Sequence, residues 1–205
     1  MCSRFELNSK PGDLLQAFGI KNVSTEFKLH EVYPSNEVYP SNNVLCFNNS
    51  GPFIRRWGLK VNWSKNILIN ARAETLLSKH TFRPFLKSKC LVPATAYFEW
   101  RHFGAHRIKN KIFLKTREIF GLAGITNGES LIIITRKSSP SIAHIHGRMP
   151  MIVPENAEKK WSDNTYPIRE SLDLIQEESG ALLAVEDDHL MLRQKDFFVS
   201  QSMDN

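Results

Sequence analysis

Cysteine is scarce in this 205-residue chain: Cys2, Cys46 and Cys90 are all it has. An odd number without Cys-x-x-Cys spacing supplies neither a disulfide framework nor a four-cysteine zinc site, so a reducing compartment is expected. Long apolar runs are absent too. No stretch approaches the ~18 residues that mark a membrane span, and Cys2-Ser3-Arg4-Phe5-Glu6 lacks the apolar core of a signal peptide. The expectation is a soluble, cytoplasmic protein with no membrane partner. Acidic residues are sparse over residues 1–154, where 9 Asp and Glu stand against 22 Lys and Arg, a net +13. From Glu155 onward the balance reverses, with 12 acidic against 5 basic residues. A basic excess of that size attracts polyanions, nucleic acid first among them; a solvated basic face with no partner is the competing reading. Trp57, Trp63, Phe82, Phe85 and Trp100 are interleaved with the basic residues, and such rings stack on the bases of a single strand.

A chain of this length is expected to form one domain over residues 1–205, more helical and acidic from about residue 155. Internal repetition is confined to Glu31-Val-Tyr-Pro-Ser-Asn36 and its copy Glu37-Val-Tyr-Pro-Ser-Asn42, too few copies for a solenoid. The duplication reads as a lengthened loop in which Pro34 and Pro40 exclude a central strand. Short β-rich runs at 44–47, 54–61, 67–70, 89–101, 107–116, 118–125 and 129–136 are punctuated by Gly, Asn and Pro. They predict a mostly antiparallel sheet or barrel rather than βαβ units. Helices are predicted at 11–18, closed by Gly19, at 71–88, bent or stopped by Pro84, and at 155–161 and 168–178. A last strand is expected at 181–185. The fold class is therefore α+β, with a mostly antiparallel β core and short flanking helices.

Cys2 directly follows Met1. Removal of Met1 leaves an α-amine and a thiol on one residue, with ordinary pKa values of about 8 and 8.5. Such a 1,2-aminothiol captures an aldehyde first as a Schiff base and then as a five-membered thiazolidine. The simpler reading is a disordered start. In the run Leu91 to Trp100, strand alternation sets Tyr97 and Glu99 on one side and Phe98 and Trp100 on the other. A carboxylate in so apolar a segment is expected to be desolvated and suited to acid-base work near neutral pH; a structural ion pair is the alternative. Ile145-His146-Gly147-Arg148 places a proton shuttle beside an arginine that can fork onto phosphate. His144 and His146 also form a His-x-His pair, but without the acidic or cysteine cluster that a metal site needs. Asn70 stands before a predicted helix, either as its N-cap or as a group that holds a reactant. Arg72, near that helix start, is a candidate phosphate ligand.

Met1-Cys2-Ser3-Arg4-Phe5, Asn70-Ala71-Arg72-Ala73-Glu74-Thr75, Phe98-Glu99-Trp100 and His146-Gly147-Arg148-Met149-Pro150, in that order, resemble the SRAP (SOS response-associated peptidase-like) family. A fainter echo lies at Phe198-Val199-Ser200. The resemblance implies a compact, barrel-like α+β fold. It also implies binding of single-stranded DNA and covalent attachment of the mature N-terminal cysteine to abasic sites, which shields them from strand cleavage. It implies no cofactor and no metal, and a monomer is expected. On this resemblance Cys2 is the nucleophile, Asn70 positions it and the opened sugar, Glu99 is the acid-base group, and His146 is a second proton-transfer group. Arg4, Arg72 and Arg148 are the DNA-contacting arginines, Trp57 and Trp63 stack on or wedge between bases, and Thr135 lies near the same pocket. The sequence departs from the family pattern at Ser3, where Gly is usual, at Glu37, where Asn is expected opposite Pro40, and in a short C-terminal segment. Two rival readings remain open: a thiol peptidase using Cys2 as N-terminal nucleophile, and a non-covalent single-strand binding module.

Overall fold

The computed structural model describes residues 2–20, 34–177 and 183–187. The echo at 198–200 and the first three residues of the duplication lie outside them. Pro11, whose missing N–H costs nothing in a first turn, opens α1 (Pro11–Ala17), and Gly19 at φ +63° ends it.

One sheet of five antiparallel strands runs in the order β15 (Leu183–Asp187), β10 (His106–Leu114), β9 (Ala96–Phe103), β1 (Phe5–Leu7) and β2 (Ser35–Val38). The duplicated segment is therefore not all loop: its middle forms β2, at the sheet's edge. Pro34 and Pro40 flank that strand, and their lack of a donor confines it to the edge. A second, mixed sheet runs through β13 (Arg148–Pro150), β12 (Ser130–Lys137), β4 (Gly51–Trp57), β3 (Asn43–Asn48), β8 (Lys89–Ala94), β11 (Phe120–Thr126) and β14 (Ile152–Val153). Because β12 pairs with β4 at one stretch and with β11 at another, five of these strands close into a ring. A separate hairpin of β5 (Leu59–Val61) and β6 (Ser64–Leu68) projects from it. Gly58, at φ +118°, breaks the predicted run 54–61 into β4 and β5 and turns the chain outward. The predicted run 89–101 likewise divides at Thr95 between the two sheets.

The helix predicted at 71–88 does not form. Residues Asn70–Arg72 become β7, paired in parallel with β12 through Ile133, Ile134 and Thr135. Only Ala73–Leu76 makes a helical turn, α2, and His80–Phe85 is a 3-10 turn containing Pro84. Sheet pairing of Asn70–Arg72 and burial of Ala71, Ala73 and Leu76 outweigh the weak helical preference of Ser78-Lys79-His80-Thr81. Asn70 is thus a strand residue and not the N-cap. Helices α3 (Glu155–Ser162) and α4 (Ile168–Glu177) match expectation. Wholly buried Trp161 anchors α3, its indole N–H donating to the Cys90 carbonyl at 2.8 Å.

Two apolar clusters fill the interior. One surrounds Leu14, Phe85, Leu91, Ile132 and Trp161; the other joins Cys2, Phe5, Trp57, Tyr97, Phe120 and Leu131. Burying side chains of this size contributes about 1.5–3 kcal/mol each. The second cluster fixes the start of the chain, because β1 is held between β9 and β2 with Phe5 opposite Tyr97.

Candidate active site

Four distant segments meet at Cys2. The Phe98 N–H donates to the Arg4 carbonyl at 3.0 Å, which pins the residues just before β1 against β9. On the inner side of β9, Tyr97 and Glu99 are 0% and 3% exposed, as strand alternation requires. Phe98 faces the other way and is also buried, with the Lys109 ammonium 4.2 Å from its ring centroid. β7 presents Asn70, whose amide N–H donates to the Cys2 carbonyl at 2.7 Å. The turn before β13 brings His146 Nδ1 to 3.9 Å from Glu99 Oε1.

The electrostatics follow from burial. Cys2 is wholly buried, and desolvation, reinforced by the negative charge of Glu99, pushes its thiol far above the ordinary range. Desolvation also raises the Glu99 carboxyl, while the charge of His146 pulls it back. A carboxylate with a raised pKa accepts a proton more readily than an ordinary one, so Glu99 is suited to draw the proton from a reluctant thiol. His146 Nδ1 lies 3.0 Å from both the N–H and the carbonyl oxygen of Arg148. In the neutral ring the Arg148 N–H donates to Nδ1 and the proton sits on Nε2; in the charged ring Nδ1 donates to the carbonyl. The same contact serves both protonation states.

The remaining expected residues divide into two groups. Trp63 is 70% exposed at the tip of the β5–β6 hairpin, and Arg72 is exposed. With Asn70, Lys79, His80 and Phe82 they line a cavity of about 640 Å³, which Asn70 links to the Cys2 carbonyl. Trp57 is wholly buried: it packs on Phe5 at 5.4 Å and donates its indole N–H to the Ile69 carbonyl at 2.9 Å. It offers no face to a base, which corrects the stacking role expected for it. Thr135 is also wholly buried; its hydroxyl lies 3.4 Å from the Ala71 carbonyl and 3.2 Å from an Arg148 nitrogen. Its place is behind the pocket, supporting Arg148. That arginine forks onto Glu74 at 2.7 and 3.0 Å and donates to the Thr135 carbonyl at 2.7 Å. These bonds hold the Glu74 carboxyl below its usual range. Arg4 is paired with Glu37 at 3.2 Å. The two histidines do not act together, since His144 is exposed and His146 is half-buried beside Glu99.

Tyr97 was given no role by the sequence, yet its hydroxyl is buried with no hydrogen-bond partner among the described residues, as is Oδ1 of Asn70. Charges on Cys2 and Glu99 both act on that hydroxyl, raising the Tyr97 pKa after desolvation, the larger cause. Its position two residues before Glu99 on a strand was the available signal.

A family model described as "SOS response associated peptidase (SRAP)" matches residues 1–187. The chain belongs to the SRAP family. It is 36% identical over 188 residues to "Abasic site processing protein YoqW" of Bacillus subtilis, covering 82% of this chain and 83% of that one. It is 36% identical over 188 residues to YobE of the same organism, also called an abasic site processing protein, covering 82% and 85%. A solved protein of Bacteroides thetaiotaomicron superposes with a TM-score of 0.75 at 26% identity, covering 90% of this chain and 91% of that chain. The SRAP relationship extends over both sheets and over all four segments that meet at Cys2. No helix among the described residues is long and apolar enough to cross a membrane.

Proposed function

We propose that this SRAP protein, after removal of Met1, captures abasic sites in single-stranded DNA as a covalent thiazolidine on Cys2. The observation that carries this reading is the meeting of Asn70, Glu99 and His146 around the one residue that becomes a 1,2-aminothiol. The names of the B. subtilis relatives support the substrate class. A ring-opened abasic sugar presents an aldehyde. The Cys2 amine adds to it and water leaves, giving a Schiff base. The Cys2 thiol then adds across the C=N bond, its proton passing through Glu99 to the nitrogen. His146, its Nδ1 tied to Arg148, donates to the departing hydroxyl and takes the proton back on reversal. Asn70 holds the Cys2 carbonyl and also lines the cavity shared with Trp63 and Arg72, which would take the flanking strand. The chain's basic excess makes that binding steeply salt-dependent. One chain supplies every group, so a monomer suffices.

Incubating the mature protein with single-stranded DNA bearing one abasic site is expected to yield an adduct that survives denaturation and that Cys2→Ala cannot form. Failure of the wild type to form that adduct overturns the proposal.

A second reading is self-removal of Met1, with the Cys2 thiol attacking the Met1 carbonyl and the resulting thioester hydrolysed by water. The charges of Glu99 on Cys2 and of His146 on Glu99 support it, because such an attack needs a base within reach of the thiol. Intact mass of protein made without methionine aminopeptidase tests it: persistence of Met1 removes this reading and leaves the crosslinking one untouched.

A further inference from the structure

Glu37 sits on the edge strand β2, in the second copy of the duplicated hexapeptide, and three donors, from just before β1, just after β2 and within β10, converge on its carboxylate. Arg4 Nη1 lies 3.2 Å from Oε2, the Tyr39 hydroxyl donates to Oε2 at 2.7 Å, and the Lys109 ammonium reaches Oε1. The Arg4 guanidinium is further held between two rings, 4.6 Å from the centroid of Tyr39 and 4.9 Å from that of Trp100. Arg107 also lies over the Trp100 ring, at 5.8 Å from its centroid. Burial works against the charged form of Glu37, but the Lys109 and Tyr39 donors and the charges of Lys109 and Arg4 together hold its carboxyl below the ordinary range. Two cations and a hydroxyl that bind one singly charged oxyanion form a general oxyanion site.

From this geometry we infer that Arg4, Tyr39 and Lys109 form a phosphodiester-binding site on the face of the five-stranded sheet that carries Phe98 and Trp100, occupied in the free protein by the chain's own Glu37. A phosphodiester carries the same single charge as a carboxylate and offers two non-bridging oxygens, so it satisfies the same donors. Two features make the exchange feasible. Glu37, Arg4 and Tyr39 are all partly exposed, and ion pairs in such positions are weak. β2 is also the outermost strand of its sheet, so Glu37 swings away without opening the core. Tyr39, 42% exposed, and Trp100 then flank the bound phosphate with surfaces on which bases stack. Glu37 is thus a built-in competitor that lowers affinity for undamaged single strands. The inference rests on the proposed role in DNA binding and adds to it a phosphate seat and the residue that guards it.

The test separates non-covalent binding from crosslinking. Binding of a fluorescein-labelled 12-nucleotide oligo-dT without any abasic site is followed by anisotropy from 50 to 300 mM salt. Glu37→Gln, which keeps the shape and removes the charge, is expected to bind roughly five- to tenfold tighter at 50 mM. Its log–log salt slope is expected to steepen by about 0.7, the value for one added phosphate contact on a single strand. Adding Lys109→Ala to Glu37→Gln is expected to reverse both changes. Glu37→Asn provides a second neutral variant should Glu37→Gln fold poorly. An unchanged slope, or weaker binding by whichever neutral variant retains the wild-type melting temperature, overturns the inference. Loss of the abasic-site adduct in the wild type, with the Glu37 effect intact, overturns the proposed function and leaves the phosphate seat standing.

Discussion

The side-chain amide of Asn70 donates to the backbone carbonyl of Cys2 at 2.7 Å, across 68 residues of sequence. On the proposed mechanism this bond positions Cys2 without touching its sulfur. Asn70→Ala is expected to slow adduct formation by about ten- to a hundredfold, the usual penalty for a misplaced reacting group. The melting temperature is expected to move little, since one such bond contributes about 1 kcal/mol. Timed denaturing gels alongside thermal melts check this; an unaltered rate removes Asn70 from the mechanism.

On the proposed mechanism, Glu99 governs how crosslinking depends on pH. Desolvation raises its carboxyl above the ordinary value of 4.5, and only the ionised form accepts the thiol proton. Crosslinking by the wild type is therefore expected to fall as pH drops through that raised pKa, giving an acid limb above pH 4.5. Glu99→Gln is expected to react slowly and without that limb. Rates measured from pH 4 to 8 decide the matter, and a limb that persists in Glu99→Gln assigns it to another group.

Trp63 and Trp57 test the difference between an exposed and a buried ring. Trp63→Ala is expected to weaken single-strand binding by about 1–3 kcal/mol, the range for loss of one stacking platform, while stability stays within about 0.5 kcal/mol. Trp57→Ala is expected to cost about 3–5 kcal/mol of stability, as for other large core truncations. Urea titrations and oligonucleotide binding on both variants check the pair. A binding defect in Trp57→Ala at unchanged stability contradicts the core assignment.

The Tyr97 hydroxyl is buried with no partner among the described residues, and an unsatisfied polar group of that sort costs about 1–3 kcal/mol. Tyr97→Phe keeps the ring and is expected to be neutral or more stable by about 1 kcal/mol in urea. A clear loss of stability points instead to a hydrogen bond made by that hydroxyl.

Arg117 forks onto buried Glu158 at 2.6 and 3.3 Å and donates to the Ala17 carbonyl at 3.1 Å, joining α3 to the end of α1. Arg117→Met leaves that carboxylate buried and unpaired, so a loss of about 3 kcal/mol is expected near neutral pH. Desolvation already raises the Glu158 carboxyl and Arg117 pulls it back, so its pKa climbs further in the variant. Below that pKa the group is neutral and the penalty vanishes. The destabilisation is therefore expected to shrink as pH falls; a deficit that stays constant with pH attributes the loss to packing.

Strand content was readable where short apolar runs ended at turn residues, as at 107–116 and 129–136, because alternation and punctuation are local signals. The run 71–88 misled because Asn70–Arg72 takes its conformation from β12, more than 60 residues away. Trp57 and Trp63, six residues apart on either side of Gly58, carry the same side chain. Whether each faces core or solvent depends on a turn whose direction the sequence does not state. Glu37 showed itself only as a departure from a family pattern; its three donors come from just before β1, from β10 and from just after β2.

The chemistry available to this chain was written in its order of residues: a thiol next to Met1, a carboxylate in an apolar strand, a histidine beside an arginine, and basic charge gathered before Glu155. Residue identity fixes which protons and nucleophiles exist. Tertiary structure alone decided that the thiol, carboxylate and histidine meet, that Thr135 is wholly buried against Arg148, and that Arg4 pairs with Glu37. Those outcomes depend on long-range strand pairing and burial, which set distance and desolvation, and neither is a property of any segment taken alone.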